Sequence, residues 1–194
     1  NLTFASALRS ILRQDPDIVM VGEIRDQETA KIAMTLSITG HLVFSTLHTF
    51  DSPSAVMRLV DMGVEPYMVH SALSAVISQR LVRKVCPHCS QKYSASIAEK
   101  QFLGVPAEEN VELSSAQGCE ECNYTGYMGR TAVHEILMMS SAIRDDLASG
   151  GSTESIRRIA RQEGMKSLLD NLKELVLDGT TTLAELRRTY SEYD

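Results

Sequence analysis

The sequence has no tryptophan, and aromatic residues make up only 5% of its 194 residues. It also lacks any run that approaches the roughly 18 uninterrupted apolar residues of a transmembrane helix, and no secretory signal peptide opens it. Hydrophobic residues nevertheless amount to 43%, which is enough for a core. The sequence therefore predicts a globular chain without a membrane span, whose core is built from aliphatic side chains.

Positive charge is scarce as well. The chain has 19 Lys and Arg residues against 25 Asp and Glu residues, which gives a net charge of −6 at pH 7. Proteins that bind nucleic acids need basic surfaces because they neutralise phosphate groups. We therefore expect no direct nucleic-acid partner, although Arg80, Arg83 and Lys84 could form a local basic patch.

The most informative stretch is Asp15–Asp26, which reads DPDIVMVGEIRD. Its four consecutive apolar residues, Ile18–Val21, predict a strand that is covered on both faces, as in a parallel sheet. Open α/β sheets bind ligands just beyond the carboxyl ends of their strands, and Gly22 and Glu23 stand at that place. A plain core strand followed by a surface glutamate would give the same pattern, so the stretch alone does not decide.

A helix and a second strand follow at once. Asp26 can cap a helix whose apolar spacing ends at Thr39-Gly40, and the residues after His41 predict another buried strand. A strand, a helix and a strand this close together predict a parallel crossover. Thr46 and His48 would then reach the same edge as Glu23, where a neutral histidine can donate a hydrogen bond to a phosphate. A purely structural histidine is the alternative.

The remaining elements are predicted from apolar periodicity and from helix start and stop signals. The expected helices include residues 1–14, a helix that Ser52 caps before Pro53 and that runs to Met62, and one that begins at Glu65-Pro66 and runs to Leu81. Periodicity breaks up from Cys86 to Gly129, and a strand then returns at Arg130–Met138. Four helices follow, at Ser141–Ala148, Thr153–Gln162, Met165–Asp178 and Thr182–Tyr190. These changes predict three segments, 1–84, 85–130 and 131–194.

All four cysteines of the chain fall into two CxxC pairs, and they are Cys86, Cys89, Cys119 and Cys122. Two such turns can supply four thiolates to one tetrahedral zinc ion, and a closed site of this kind is structural. A redox CxxC is the alternative, but it would need only one pair at a helix start. His88 is expected to be a bystander. A zinc-ribbon binding module without catalysis would explain the cysteines but not the residues around Glu23.

Three motifs in this order resemble those of secretion ATPases. Asp15–Asp26 resembles their Walker B segment, and Thr39–Thr49, which reads TGHLVFSTLHT, resembles their His box. The double CxxC and Gly126–Thr131 after it resemble the zinc segment of the GspE/PilB branch, the assembly ATPases of type II secretion and type IV pili. The retraction ATPases usually lack the cysteines. The resemblance covers essentially the whole chain and places it on the assembly side.

The resemblance implies an α/β fold, namely the C-terminal domain of a RecA-like P-loop NTPase with a partial parallel sheet and flanking helices. A small tetracysteine zinc-binding insertion and a C-terminal helical subdomain would complete it. The implied activity is that of a homo-hexameric motor that hydrolyses ATP with Mg²⁺ and drives pilus or pseudopilus assembly. Such motors work in the cytoplasm, peripheral to the inner membrane, through secretion or pilus platform proteins.

By motif match, the resemblance implies a catalytic role for Glu23, as a general base or as a group that orients water. His41 and His48 take the His-box positions, which contact or sense the γ-phosphate region. Gly22, Arg25 and Thr46 are candidates for nucleotide contact, although Arg25 could simply pair with a neighbour. The four cysteines would be the zinc ligands.

One family motif is absent from the sequence, since GxxxxGK(S/T), the loop that holds phosphates, occurs nowhere in it. The chain also begins with Asn1, so we expect it to be the C-terminal part of a longer protein. The resemblance would place the missing loop roughly 60–80 residues before Glu23. We therefore expect the chain alone to be inactive, and we expect part of its sheet surface to be exposed.

Overall fold

The computed structural model describes residues 16–191 together with Ser10 and Gln14. The helix predicted over residues 1–14 therefore lies outside the described part. The first elements are β1 (Ile18–Val21), α1 (Gln27–Ile38), β2 (Leu42–Ser45), α2 (Ser52–Asp61), α3 (Pro66–Ala72), β3 (Ala75–Val85), β4 (Gln91–Ser94) and α4 (Ile97–Leu103). They are followed by β5 (Glu112–Ser115), a 3₁₀ turn (Glu120–Cys122), β6 (Tyr127–Met138), α5 (Ser141–Ala148), α6 (Thr153–Gln162), α7 (Leu168–Leu177) and α8 (Leu183–Ser191).

Two compact units make up the chain. Unit 1 consists of residues 1–78 and 136–165, and unit 2 consists of residues 79–135 and 166–194. These units do not coincide with the three predicted segments, which remain a prediction about functional organisation. Among the helices of the described residues, none combines the length and the apolar character needed to cross a bilayer.

The predicted crossover is confirmed in unit 1, because β1 and β2 pair in parallel with Ile18 opposite Leu42 and Val21 opposite Ser45. The connecting helix α1 starts at the predicted cap, where the carboxylate of Asp26 accepts hydrogen bonds from the backbone N–H of Thr29 at 2.8 Å and from its hydroxyl at 3.0 Å. The helix ends before Gly40, whose φ of 107° suits glycine. Local capping therefore fixes where this helix begins and ends.

The β1–β2 pair is covered on one face only, which corrects the expectation of a strand buried on both faces. Val19 and Val21 face the aliphatic core of unit 1. Ile18 and Met20 are 62% and 63% exposed, and Leu42 and Phe44 of β2 are each 52% exposed. The continuous apolar run thus correctly predicts a strand, but the described helices cover only one side of it. Exposed sheet surface was expected from the incomplete sheet.

The helix expected from Pro66 to Leu81 is wrong in its second half. Helix α3 ends at Ala72, and residues 75–85 form the long strand β3, which pairs with β6. This segment contains Val76, Ile77 and Val82, which are β-branched and favour strands. Pairing with β6 supplies the backbone hydrogen bonds that a short-range apolar pattern cannot reveal.

Unit 2 contains the antiparallel pair β4–β5, helices α4, α7 and α8, and two cysteine loops, residues 86–90 and 118–126. Its core is aliphatic as predicted, and its large buried members include Val82, Leu103, Leu113, Val133, Leu172, Val176 and Leu186. The strand predicted at Arg130–Met138 begins at Tyr127, and the two last helices lie within a few residues of their predicted bounds. The segment expected to be irregular holds two short strands and a helix.

A fully buried carboxylate ties α8 to β3. The side chain of Glu185 has no exposed surface and accepts hydrogen bonds from Arg83 Nη2 at 2.6 Å and from Arg188 Nη2 at 2.8 Å. The guanidinium of Arg83 also lies 4.0 Å from the ring centre of Tyr127, whose hydroxyl is 2.7 Å from that of Thr182. Burial raises the pKa of Glu185, but hydrogen bonds from Arg188 and Arg83 outweigh it and bring the pKa to about 2.

Glu185→Gln is therefore expected to destabilise the protein by about 2 kcal/mol at neutral pH, because it removes the charge of a buried carboxylate that accepts hydrogen bonds from two half-exposed arginines. Since the folded-state pKa lies below the ordinary 4.5, this contribution is complete above that pH and fades as the pH falls toward the folded value. Urea unfolding followed by circular dichroism measures the effect. Glu174→Gln, at an exposed ion pair with Lys166, is the control and should cost under about 1 kcal/mol. Equal stabilities of wild type and Glu185→Gln would contradict the role of this pair.

Candidate functional site

The carboxyl ends of β1 and β2 meet at one edge of the sheet, as the parallel pairing requires. Thr46, directly after β2, donates a hydrogen bond from its hydroxyl to the carbonyl oxygen of Gly22 at 2.7 Å. The backbone N–H of Ile24 donates to the carbonyl oxygen of Thr46 at 3.0 Å. These two bonds lock the exits of both strands together, so the residues that follow them share one small region.

Glu23 lies at this edge and contacts two neighbouring side chains. Its Oε2 atom lies 2.7 Å from Arg25 Nε and 3.5 Å from His48 Nε2. The hydrogen bond from Arg25 is the main reason that the pKa of Glu23 lies below its ordinary value. Glu23 is therefore held as a carboxylate that accepts hydrogen bonds, and the side chain of Arg25 beside it is 73% exposed.

The predicted site residues fall into two groups. Gly22, Glu23, Arg25, Thr46 and His48 come together at the carboxyl edge of β1–β2. His41 does not, because it precedes β2 and lies at the opposite end of that strand. Its Nδ1 atom is 3.0 Å from the carbonyl oxygen of Leu36, at the end of α1. In this structure the imidazole of His41 therefore contacts a helix terminus.

Asp51 and Arg157 are not among the residues that the sequence predicts for the site. The cap of α2 is Asp51, whose Oδ1 accepts the backbone N–H of Ser54 at 2.9 Å, so the expected cap at Ser52 is wrong. The second carboxylate oxygen of Asp51 accepts a hydrogen bond from Arg157 Nη2 of α6 at 2.7 Å. An Asp before Ser-Pro could have signalled the cap. No local pattern could have signalled a partner 106 residues away.

The four cysteines form a compact cluster, and their sulfur atoms all lie within 4.8 Å of one another. The Cys86–Cys119 and Cys89–Cys122 sulfur pairs are 3.9 Å apart, and the Cys119–Cys122 pair is 3.8 Å apart. Four thiolates at 2.3 Å from a tetrahedral zinc ion would be about 3.8 Å from one another. The cluster can therefore hold a metal ion, and its spacing is compatible with zinc.

Backbone N–H groups support the sulfur atoms. Cys122 Sγ accepts hydrogen bonds from the N–H groups of Cys119 and Gly126, both at 3.2 Å. Burial raises the pKa of Cys122, but these two bonds, together with side-chain hydrogen bonds from Cys119 and Cys89, outweigh it and bring the pKa to about 6, whereas burial raises that of Cys119 to about 11. Gly126 has a φ of 77°, and an added Cβ would lie 2.6 Å from that of Ala116. A glycine is needed there for the chain to approach the sulfur.

Known proteins resemble the chain over nearly its whole length. A type IV pilus assembly ATPase PilB of Thermus thermophilus is 50% identical over 95% of this chain and 21% of its own length. A type II secretion system protein E of Pseudomonas aeruginosa is 47% identical over 99% of this chain and 38% of its own length. The chain thus spans well under half the length of these relatives.

Solved structures are also similar to the chain. The pilus retraction motor PilT with bound ADP is 26% identical and aligns with a TM-score of 0.66 over 96% of this chain and 43% of its own. The Legionella pneumophila ATPase DotB shares the fold at 22% identity, with a TM-score of 0.66 over 98% of this chain and 42% of its own. The predicted P-loop NTPase fold is therefore confirmed. The family model described as "Type II/IV secretion system protein" matches residues 1–188, and the chain belongs to that family.

Proposed function

We propose that this chain supplies the water-activating half of an ATP-hydrolysing motor for type II secretion or type IV pilus assembly. The observation that carries the proposal is the convergence of Glu23, Thr46 and His48 at the carboxyl edge of two parallel strands. Open α/β sheets bind their ligands at this edge. The relatives named as ATPases of these two systems support the choice of reaction.

In the proposed site, Glu23 orients the water that attacks the γ-phosphate. The lowered pKa caused by Arg25 suits a group that accepts a hydrogen bond from water better than one that takes a proton, because a base works best with a pKa near the operating pH. His48 donates a hydrogen bond to the phosphate through its imidazole. Gly22, Arg25 and Thr46 line the nucleotide side of the edge. Mg²⁺ would neutralise the phosphate charge.

His41 is the weakest member of the proposed set. The resemblance assigns it to the His box, but its imidazole contacts the carbonyl oxygen of Leu36 and lies at the far end of β2 from Glu23. A catalytic role for His41 thus stays a prediction. A role at the end of α1 accounts for its contact directly, because a histidine there can satisfy carbonyl groups that have no helical partner.

The cysteine cluster is proposed to hold one structural Zn²⁺. Its four thiolates fill a tetrahedral site, which leaves no open position for a substrate. Cys86, Cys89, Cys119 and Cys122 would bind the ion, and its charge would favour the thiolate form of all four. The two cysteine loops, residues 86–90 and 118–126, contain no member of the aliphatic core of unit 2, so the metal would supply much of the free energy that orders them.

The working form is proposed to be a homo-hexamer in the cytoplasm, held at the inner membrane by secretion or pilus platform proteins and without a direct nucleic-acid partner. The names of the relatives and the PilT motor support a mechanical role of this kind. The acidic balance of the chain supports the absence of nucleic acid, because a phosphate-binding surface is normally basic.

The 194-residue chain is expected to show no measurable ATPase activity, because its sequence contains no phosphate-holding loop. A longer form that carries such a loop should hydrolyse ATP under the same conditions. Phosphate release at saturating ATP and Mg²⁺ measures both. A longer form that stays inactive as an assembled oligomer would contradict the proposed function, and robust hydrolysis by the 194-residue chain would contradict the expected division of the site.

A further inference from the structure

The segment 46–51 carries His48 from the end of β2 to the start of α2, and its two ends are held by different contacts. At its start, Thr46 is bound to Gly22 and Ile24 at the exit of β1. At its end, Asp51 caps α2 through the backbone N–H of Ser54. His48 lies between these points with 87% of its side chain exposed. Since little packing holds its ring, the two ends of the segment must set its position.

The end at Asp51 depends on a residue from a distant helix. Arg157 of α6 donates to Asp51 Oδ2 at 2.7 Å, and the two side chains are only 29% and 23% exposed. Charge-assisted hydrogen bonds in such partly buried positions are stronger and more directional than neutral ones. The guanidinium is itself steadied by Glu154 on the same helix. The carboxylate of Asp51 therefore links three parts of unit 1, namely the segment 46–51, helix α2 and helix α6.

A second contact brings the same regions together. The hydroxyl of Ser52, a fully buried residue, lies 3.8 Å from Met165 Sδ, just after α6. The hydroxyl of Thr49 donates to the carbonyl oxygen of Asp51 at 3.2 Å, which tightens the turn from within. The ion pair thus sits in an ordered contact of unit 1 and is not an isolated surface pair, which would contribute little.

We propose that Arg157 is a positioning residue, which holds Asp51 and thereby fixes the segment 46–51 so that His48 stays beside Glu23. The inference rests on the proposed function for its kinetic consequence, but the restraint on the segment does not depend on it. Arg157 touches neither Glu23 nor His48 and acts only through Asp51. Helix α6 contributes no residue to the proposed catalytic set, but through Arg157 it helps to set the position of His48.

The test uses a form of the protein that hydrolyses ATP, with Arg157→Ala, Arg157→Lys and the control Arg158→Ala, which removes an exposed charge from the same helix. Arg157→Ala should lower kcat about tenfold and leave the KM for ATP unchanged, because misplaced groups slow the chemical step. Hydrogen exchange should become faster in residues 46–51 while the amides of α6 keep their protection. Arg157→Lys should recover most of the activity, and Arg158→Ala should match the wild type.

A further variant, Asp51→Asn, tests the same contact from the side of Asp51. Asn caps helices as well as Asp does, but when its oxygen accepts the N–H of Ser54, its NH2 group takes the place of Oδ2 and faces the Arg157 guanidinium, where two donors meet. Asp51→Asn should therefore reproduce the kinetic and exchange effects of Arg157→Ala, and the double variant should show no further loss, because the two changes break one interaction. Additive losses in the double variant would overturn the proposal.

The remaining outcomes separate this inference from the proposed function. If Glu23→Gln stops hydrolysis but Arg157→Ala leaves kcat or the exchange of residues 46–51 unchanged, the positioning role is wrong and the proposed function stands. If Glu23→Gln leaves turnover unchanged, the proposed function fails. Faster exchange in residues 46–51 of Arg157→Ala would then still support the restraint, and unchanged exchange would overturn that too.

Discussion

Glu23→Gln is expected to lower kcat for ATP hydrolysis by at least about 100-fold, the usual contribution of a group that orients or deprotonates the nucleophile. Glutamine keeps the size of the side chain and can still form one hydrogen bond. It lacks the negative charge that holds Arg25 at 2.7 Å and His48 at 3.5 Å. The measurement is steady-state phosphate release by a form of the protein that hydrolyses ATP.

The affinity for ATP should survive this change, because Glu23 is proposed to act on water and not on the phosphates. Glu28→Gln is the matched control, since Glu28 is an exposed carboxylate in the first turn of α1, and it should leave kcat unchanged. Glu23→Gln with wild-type turnover would remove this residue from the mechanism. A loss of ATP binding in Glu23→Gln would instead indicate that Glu23 holds the nucleotide or its magnesium ion.

Removal of the metal is expected to have the largest structural effect. Structural zinc sites in small peptides contribute on the order of 10 kcal/mol to folding, and the two cysteine loops, residues 86–90 and 118–126, contain no member of the aliphatic core of unit 2. Chelation, or Cys122→Ser, should release one zinc per chain and abolish hydrogen-exchange protection in these two loops. The β1–α1–β2 part of unit 1 should keep its protection, because its core contains none of the four cysteines.

His88→Ala is the control for the metal site. His88 is exposed between Cys86 and Cys89 and is not a member of the four-sulfur cluster. His88→Ala should therefore keep one zinc per chain and the protection of residues 86–90 and 118–126. A metal content that falls to zero in His88→Ala, or cysteine loops that stay protected after chelation, would contradict the proposed structural role of zinc.

The fold could be predicted where interactions between residues close together in the chain determine the secondary structure. Asp26 caps α1 because an Asp side chain can accept the free N–H groups of a helix start, and Gly40 ends the helix because its φ is positive. The strand β3 could not be predicted in the same way. Its residues also fit a helical pattern, and only pairing with β6, more than 40 residues later, decides for a strand.

In the candidate site, too, some features could be predicted from local patterns and others could not. Glu23, Thr46 and His48 follow two strands with readable apolar runs, so their convergence could be predicted from parallel pairing alone. The position of His41 at the far end of β2 was also implicit, since it precedes the strand. The bond between Asp51 and Arg157 could not be predicted, because neither residue belongs to a periodic pattern that points to the other. Long-range ion pairs depend on packing, which a single sequence does not reveal.

ATP is proposed to be cleaved beside Glu23, at the carboxyl edge of β1 and β2. Single-turnover cleavage of pre-bound ATP tests it most directly, because this experiment separates the chemical step from binding and product release. Glu23→Gln should bind ATP as the wild type does but cleave it at least about 100-fold more slowly. Cleavage of bound ATP at the wild-type rate in Glu23→Gln would show that Glu23 does not act in the chemical step.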